Sequence, residues 1–221
     1  MSFGVVLLAA GGSSRLGRAK QLLPYLGRTL VEHAARTALA SGAAEVVVVV
    51  GAESAAVREA LRGLRVRIVQ NDAWAEGMGG SIARGVAALG EEIDAAVVAL
   101  GDQPRITPAH LRTLAERVRE SGKPIVASSY DGVLGAPCAF DRSEFARLRA
   151  LSGDVGARHL VRSGEEPVEA VVFAGANLDV DTPEDVRLLV PEAEDAPSEA
   201  HEEPDDARAP PVAGDSSIRS V

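Results

Sequence analysis

Residues 3–20 read "FGVVLLAAGGSSRLGRAK". An uncharged, mostly apolar run over 3–10 gives way to two glycines, two serines and the cations Arg15, Arg18 and Lys20. A run that short and that apolar fits a strand buried on both faces. The segment after it, rich in glycine, hydroxyls and positive charge, is built to hold an anion.

Working outward, similar β-rich runs occupy 45–50 ("EVVVVV"), 65–70, 95–100 and 124–128. Helical spacing of apolar residues separates them at 29–42, 52–63, 80–90 and 107–122. Strands apolar throughout, alternating with amphipathic helices, predict a mostly parallel sheet covered on both faces. Beyond 128, "YDGVLGAPCAF" (130–140) reads as a turn or hairpin around Asp131 and Gly132, with helical patterns from Arg142 and from Val155. A last strand is expected at 177–180. It leads to a helix that Thr182 caps and Pro183 opens. The expected fold is one Rossmann-like, three-layer α/β domain over residues 1–190.

The chain has 221 residues, 46% of them hydrophobic but only 3% aromatic, so the core must be mostly valine, leucine and alanine. Residues 191–221 carry nine acidic residues against two arginines, a charge of −7. The total is −9, which leaves −2 for the rest. With five prolines and no aromatic residue, that segment has too little apolar surface to offset the entropy of ordering, and a disordered acidic tail is expected. No basic stripe of the kind that binds nucleic acid is present. No apolar stretch reaches bilayer length, and no basic segment precedes the opening strand, so neither a membrane nor a signal peptide is indicated. Cys138 is the single cysteine. A lone cysteine allows no internal disulfide and fits a reducing cytoplasm. The four histidines are scattered and form no zinc pattern.

Three kinds of phosphate loop can be tested against the opening segment. A dinucleotide fingerprint needs G-x-G-x-x-G, but the glycines are Gly11, Gly12 and Gly17. A Walker A loop needs Lys and Ser or Thr after its second glycine, where Arg18 and Ala19 stand. The third candidate is a nest of backbone amides with Arg15 and Lys20 as point charges on a polyphosphate, against the plainer reading of a solvated loop with surface cations.

Other residues add chemistry. Asp102 follows the strand over 95–100 at the carboxyl edge, where open α/β sheets bind ligands. It can hold Mg²⁺ through oxygen, or simply form a turn. Asp179 and Asp181 share one face of a strand and either approach a cation or help start the following helix. Ser81 opens a helix whose amides can face a ligand. Trp74 reads as a core or lid residue more readily than as a stacking surface, and Cys138 as a small buried hydrophobe. Arg158 either meets an anionic acceptor or lies on a helix surface.

"LAAGGSSRLGRAKQLLP" (8–24) closely resembles L-A-A-G-x-S-[ST]-R-[ML]-G-x-x-K-x-L-L, the signature of nucleotidyltransferases related to molybdenum cofactor cytidylyltransferase. The resemblance continues through "NDAWAEGMGGSIARG" (71–85), "LGDQP" (100–104), "GAP" (135–137), "GDVGAR" (153–158) and "LDVDTPEDV" (178–186). It implies transfer of CMP from CTP to the terminal phosphate of molybdopterin cofactor, with release of pyrophosphate. By the same resemblance Ala9, Ala10, Gly11, Gly12, Ser13, Ser14, Arg15, Lys20, Asn71, Gly77 and Ser81 would bind nucleotide. Asn71 would reach a base edge or hydroxyl, and Gly77 would leave room for it. Arg15, Lys20 and Asp102 would act in catalysis. Asp102, with Asp179 or Asp181, would hold Mg²⁺. A molybdoenzyme that receives the product is a further expected partner. In the best-known members a histidine precedes the proline of "GAP", whereas this chain has Ala136. That keeps a sugar phosphate, or another phosphorylated alcohol, open as acceptor. A non-catalytic nucleotide-binding chaperone is the reading from another class.

Overall fold

The computed structural model describes residues 2–12, 19–130 and 132–173. The expected roles of Ser13, Ser14, Arg15, Asp179 and Asp181, the strand at 177–180 with its helix, and the tail at 191–221 lie outside them.

Strand β1 (Phe3–Ala9) is followed by a two-residue ladder of β2 (Pro24–Tyr25) and β3 (Arg28–Thr29), and then by helix α1 (Leu30–Ala40). Next come β4 (Glu45–Val50), α2 (Ser54–Ala60), β5 (Arg67–Gln70), α3 (Met78–Ala87) and β6 (Ala95–Leu100). The described chain ends with α4 (Pro108–Ser121), β7 (Ile125–Tyr130), β8 (Val133–Asp141), α5 (Phe145–Arg149), α6 (Ala157–Arg162) and β9 (Val168–Val172). Seven strands form one sheet in the order β5-β4-β1-β6-β8-β7-β9. Only β8 runs against the others, antiparallel to both β6 and β7. The fold is therefore α/β with a mostly parallel sheet.

The two-residue period of β1 divides the core. Val5, Leu7 and Ala9 face a cluster that includes α1, α2 and α4, whereas Val6, Leu8 and Ala10 face α3, α5 and α6. All six are buried, which is why the run is apolar without alternation. Thr29 and Thr107 cap α1 and α4, each hydroxyl accepting from the amide three residues on (Glu32 at 3.3 Å, His110 at 3.2 Å).

Several boundaries differ from expectation. β5 starts at Arg67 rather than 65, because pairing with β4 begins at Val47↔Arg67. β7 runs on to Tyr130, since its hairpin with β8 continues through Ser129↔Leu134 and Tyr130↔Val133. β9 has no counterpart among the expected strands. It lies beside β7 with Glu169 paired to Arg117 of α4, and that carboxylate interrupts the apolar run a sequence reading needs.

α3 lies close on the sheet because residue 85 is glycine. A Cβ there would stand 2.3 Å from Val6 Cγ1 and 3.0 Å from Val49 Cγ2. Gly85→Val is therefore expected to overpack this face and lower unfolding free energy by about 1–3 kcal/mol. Urea denaturation reads the loss, and an unchanged midpoint would show that the contact is slack.

Candidate active site

Three parallel strands end at one edge of the sheet: β1 at Ala10-Gly11-Gly12, β4 at Gly51 and β6 at Gly101-Asp102. The ends of β1 and β6 open into a cleft of ≈ 950 Å³, closed on its other side by Met78 and Ser81 of α3, Tyr130, the Gly135-Ala136 segment of β8, and Arg158. This is the carboxyl end of the strands, the expected ligand position in an open α/β sheet.

The backbone leaving β1 is tied down before it enters the loop. Gly101 N–H donates to Leu8 O, and Ala52 N–H to Ala10 O, each at 3.0 Å. The Gln21 side-chain amide, 3% exposed, donates to Ala9 O at 3.2 Å and also to Gly11 O. Gln21 was not among the expected site residues, because an uncharged amide beside a lysine carries no obvious chemistry. Ala9 itself points its side chain into the core, so its part here is its carbonyl. Ala10, Gly11 and Gly12 line the cleft. Gly12 and Gly51 make room for a wall: a Cβ on either would come within 2.5–2.8 Å of Trp74. Trp74 packs partly into the core and lines the cleft.

Lys20 and Asp102, assigned separate tasks from sequence, are in direct contact through Nζ and Oδ2. Asp102 is only 7% exposed. A carboxylate that opens into the cleft and already draws in an ammonium head suits a hard cation with oxygen preference. Among the described residues, however, no group of three His, Cys, Asp or Glu forms.

Asn71 and Gly77 both make contacts within the protein, and Gly77 also lines the cleft. Asn71 is fully buried and donates to Ser81 Oγ at 2.9 Å. Its Oδ1 accepts from Ala73 N–H and Arg84 Nε. It thus positions Ser81, which lines the cleft. Gly77 has φ +127°, and a Cβ there would lie 2.2 Å from the carbonyl carbon of Gly153. The space it leaves is filled by protein backbone, and Gly79 N–H completes the contact by donating to Gly153 O at 2.9 Å.

On β8, side chains satisfy three successive carbonyls. Cys138 Sγ reaches Gly135 O at 3.1 Å. Gln103 Nε2 (3.2 Å) and the Tyr130 hydroxyl (2.6 Å) donate to Ala136 O. The Ser128 hydroxyl donates to Pro137 O at 2.7 Å. Having used its proton there, Ser128 accepts from His110 Nε2, also at 2.7 Å, which assigns the proton on His110 to Nε2. The Ala136–Pro137 peptide is cis. Burial pushes the Cys138 thiol up to about 12, so it stays protonated and is no nucleophile. Burial also lowers His110 to about 4, which keeps the ring neutral.

Such a fold and cleft define an open-sheet α/β protein with a ligand-sized opening at the carboxyl ends of its parallel strands. Residues 5–168 match the MobA-like NTP transferase domain, and the chain belongs to that family of nucleotidyltransferases. It is 38% identical to nicotine blue oxidoreductase of Paenarthrobacter nicotinovorans, over 84% of this chain and 95% of that one. It is 33% identical to the purine catabolism protein PucB of Bacillus subtilis, over 83% and 94%. Among solved structures, Rv0371c of Mycobacterium tuberculosis superposes with a TM-score of 0.75 at 34% identity, covering 86% of this chain and 98% of that one. A manganese complex of the same protein gives 0.74 at 31% identity, over the same shares. The differing names of these relatives mean that membership does not decide the acceptor.

The neutral His110 ring makes stability depend on pH. The folded state resists protonation down to about pH 4, whereas the unfolded chain binds that proton near pH 6.5. The stability from the neutral ring is therefore complete above about pH 6.5 and lost as pH falls toward 4. His110→Gln keeps a donor for Ser128 and removes the titration. Between pH 7 and 4.5 the wild type is expected to lose about 2 kcal/mol more than this variant in urea unfolding. Parallel losses would show that His110 is not the group responsible.

Proposed function

We propose that this chain transfers CMP from CTP to the terminal phosphate of molybdopterin cofactor and releases pyrophosphate. The observation that carries the reading is the Lys20 ammonium resting on Asp102 where the glycine loop and β6 open together into the cleft. An acceptor phosphate oxygen attacks the α-phosphorus of CTP and forms a new P–O bond. The bond to the β-phosphate breaks in line, and pyrophosphate leaves with the electron pair. A phosphate nucleophile is already ionised at neutral pH, so no general base is needed. This agrees with a cleft whose cysteine is protonated and whose nearby histidine is committed to Ser128. Lys20, Arg15 and the amides from Ala10 to Ser14 would bind and orient the β- and γ-phosphates. Mg²⁺, held by Asp102 with Asp179 or Asp181, would supply charge neutralisation on the phosphate oxygens. A molybdoenzyme would then take up the product.

The cytidine assignment rests on Ala9-Ala10 before the glycine pair, where guanylyl relatives tend to have L-A-G-G. Two or three buried base contacts left unpaired by the wrong nucleotide would give CTP a preference of about a hundredfold over GTP in kcat/KM. Pyrophosphate release with CTP, GTP, ATP and UTP and candidate acceptors is the decisive screen. Equal or better use of GTP would overturn the cytidylyl assignment. Nucleotide binding without release from any pairing would favour a non-catalytic carrier.

Asp102→Asn preserves shape and removes charge. It is expected to cut turnover by about 10²–10³ while leaving the melting temperature in place; near-normal metal-dependent activity would rule out its metal role. Truncation after Val190 is expected to change neither melting temperature nor activity, because residues 191–221 have little with which to pack. A truncated protein that unfolds or loses nucleotide would place the domain boundary elsewhere.

A further inference from the structure

The glycines that follow β1 leave the peptides around them free to face either way. Gly11 and Gly12 carry no Cβ, so the peptide planes beside them turn over at little cost. The two orientations are not equivalent for an anion. One presents N–H groups, and the other presents carbonyl oxygens, which repel phosphate. Such a stretch can come close to a polyphosphate, but its own sequence does not decide which polar face it offers. A contact from outside the stretch has to decide.

Gln21 supplies that contact for two peptides at once. Its Nε2 donates to Ala9 O at 3.2 Å and also to Gly11 O. Both peptides are trans, because Ala136–Pro137 is the only cis bond among the described residues. In a planar trans peptide the carbonyl and the next N–H point to opposite sides. With both carbonyls on Gln21, the N–H groups of Ala10 and Gly12 face away from it. That direction leads out of the packed interior, since Gln21 is 3% exposed whereas Gly11 and Gly12 are exposed. Ala10, Gly11 and Gly12 all line the cleft. The carbonyl between the two, Ala10 O, is taken by Ala52 N–H at 3.0 Å. Gln21 sits beside Lys20 in a single 3₁₀ turn (Lys20–Leu22). The side chain that orients the amides is thus adjacent in sequence to the ammonium lying on Asp102.

We infer that Gln21 is a positioning residue for the phosphate site. Its amide holds the Ala9–Ala10 and Gly11–Gly12 peptides so that their N–H groups, not their carbonyls, meet a polyphosphate. The inference rests on the reading that the glycine loop binds the nucleotide phosphates. Isothermal titration of the full chain with tripolyphosphate, together with heteronuclear NMR of the loop amides, tests it. Gln21→Met keeps the length of the side chain and loses both donors, whereas Gln21→Asn keeps the amide and loses the reach. Each is expected to weaken tripolyphosphate by about tenfold or more. In the wild type the Ala10 and Gly12 amide protons should move downfield on binding, the mark of a new hydrogen bond. In the variants that shift should be lost even at saturation. A role confined to stability would lower the urea midpoint and leave both readouts alone, because the folded molecules would still bind normally. Wild-type affinity in either variant, or loop amides that shift as before, would overturn the inference. Lys20→Met separates it from the reading beneath it. If that substitution weakens tripolyphosphate and Gln21→Met does not, the phosphates lie in the loop and Gln21 does not position it. If neither weakens it, or the wild type binds none, the loop is not the phosphate site and both readings fall.

Discussion

Everything in the cleft hangs from β1 being held on all sides. It is hydrogen-bonded to β4 along one edge and β6 along the other, and its side chains are buried above and below. A strand so confined delivers the next residues to a fixed point. Gly101 and Ala52 then anchor the carbonyls of Leu8 and Ala10, so the ends of all three central strands move as one piece. Gln21 extends the control past the strand by holding Ala9 and Gly11 with a single amide. The ion pair of Lys20 with Asp102 connects the residue after the loop to the end of β6.

The β8 side is organised by a different economy. It is a short backbone stretch whose carbonyls are all answered by side chains. The chain from His110 through Ser128 to Pro137 works only while the histidine Nε2 carries a proton, and burial keeps that ring neutral. A buried network of this kind is stable when every member is satisfied and costly when one is lost. The result is a wall with its polar atoms turned inward and its apolar surface facing the cleft.

Much of this was legible in the sequence, and the parts that were not have identifiable reasons. Uninterrupted apolar runs announced β1, β4 and β6, because burial on both faces leaves no other pattern. Asp102 and Lys20 could be picked out because charge beside a glycine loop is conspicuous. β9 escaped because Glu169 answers Arg117 across the surface, so its residues alternate only weakly. Gln21 escaped because its work is done on backbone atoms, although a lone amide followed by Leu22 and Leu23 hints at burial. The contacts that Asn71 and Gly77 make within the protein were not legible. Their partners, Ser81 with Arg84 and the backbone of Gly153, come from elements whose approach only the fold determines.

Trp74 has one more consequence. It is the only tryptophan in the chain, and its indole stands against Gly12 and Gly51 in the cleft wall. Its fluorescence therefore comes from one place, beside the loop that leaves β1. Emission wavelength and quenching by iodide would report on the polarity and access of that wall alone, with no label attached. The protein thus carries its own optical probe of the cleft, free of signal from any second indole.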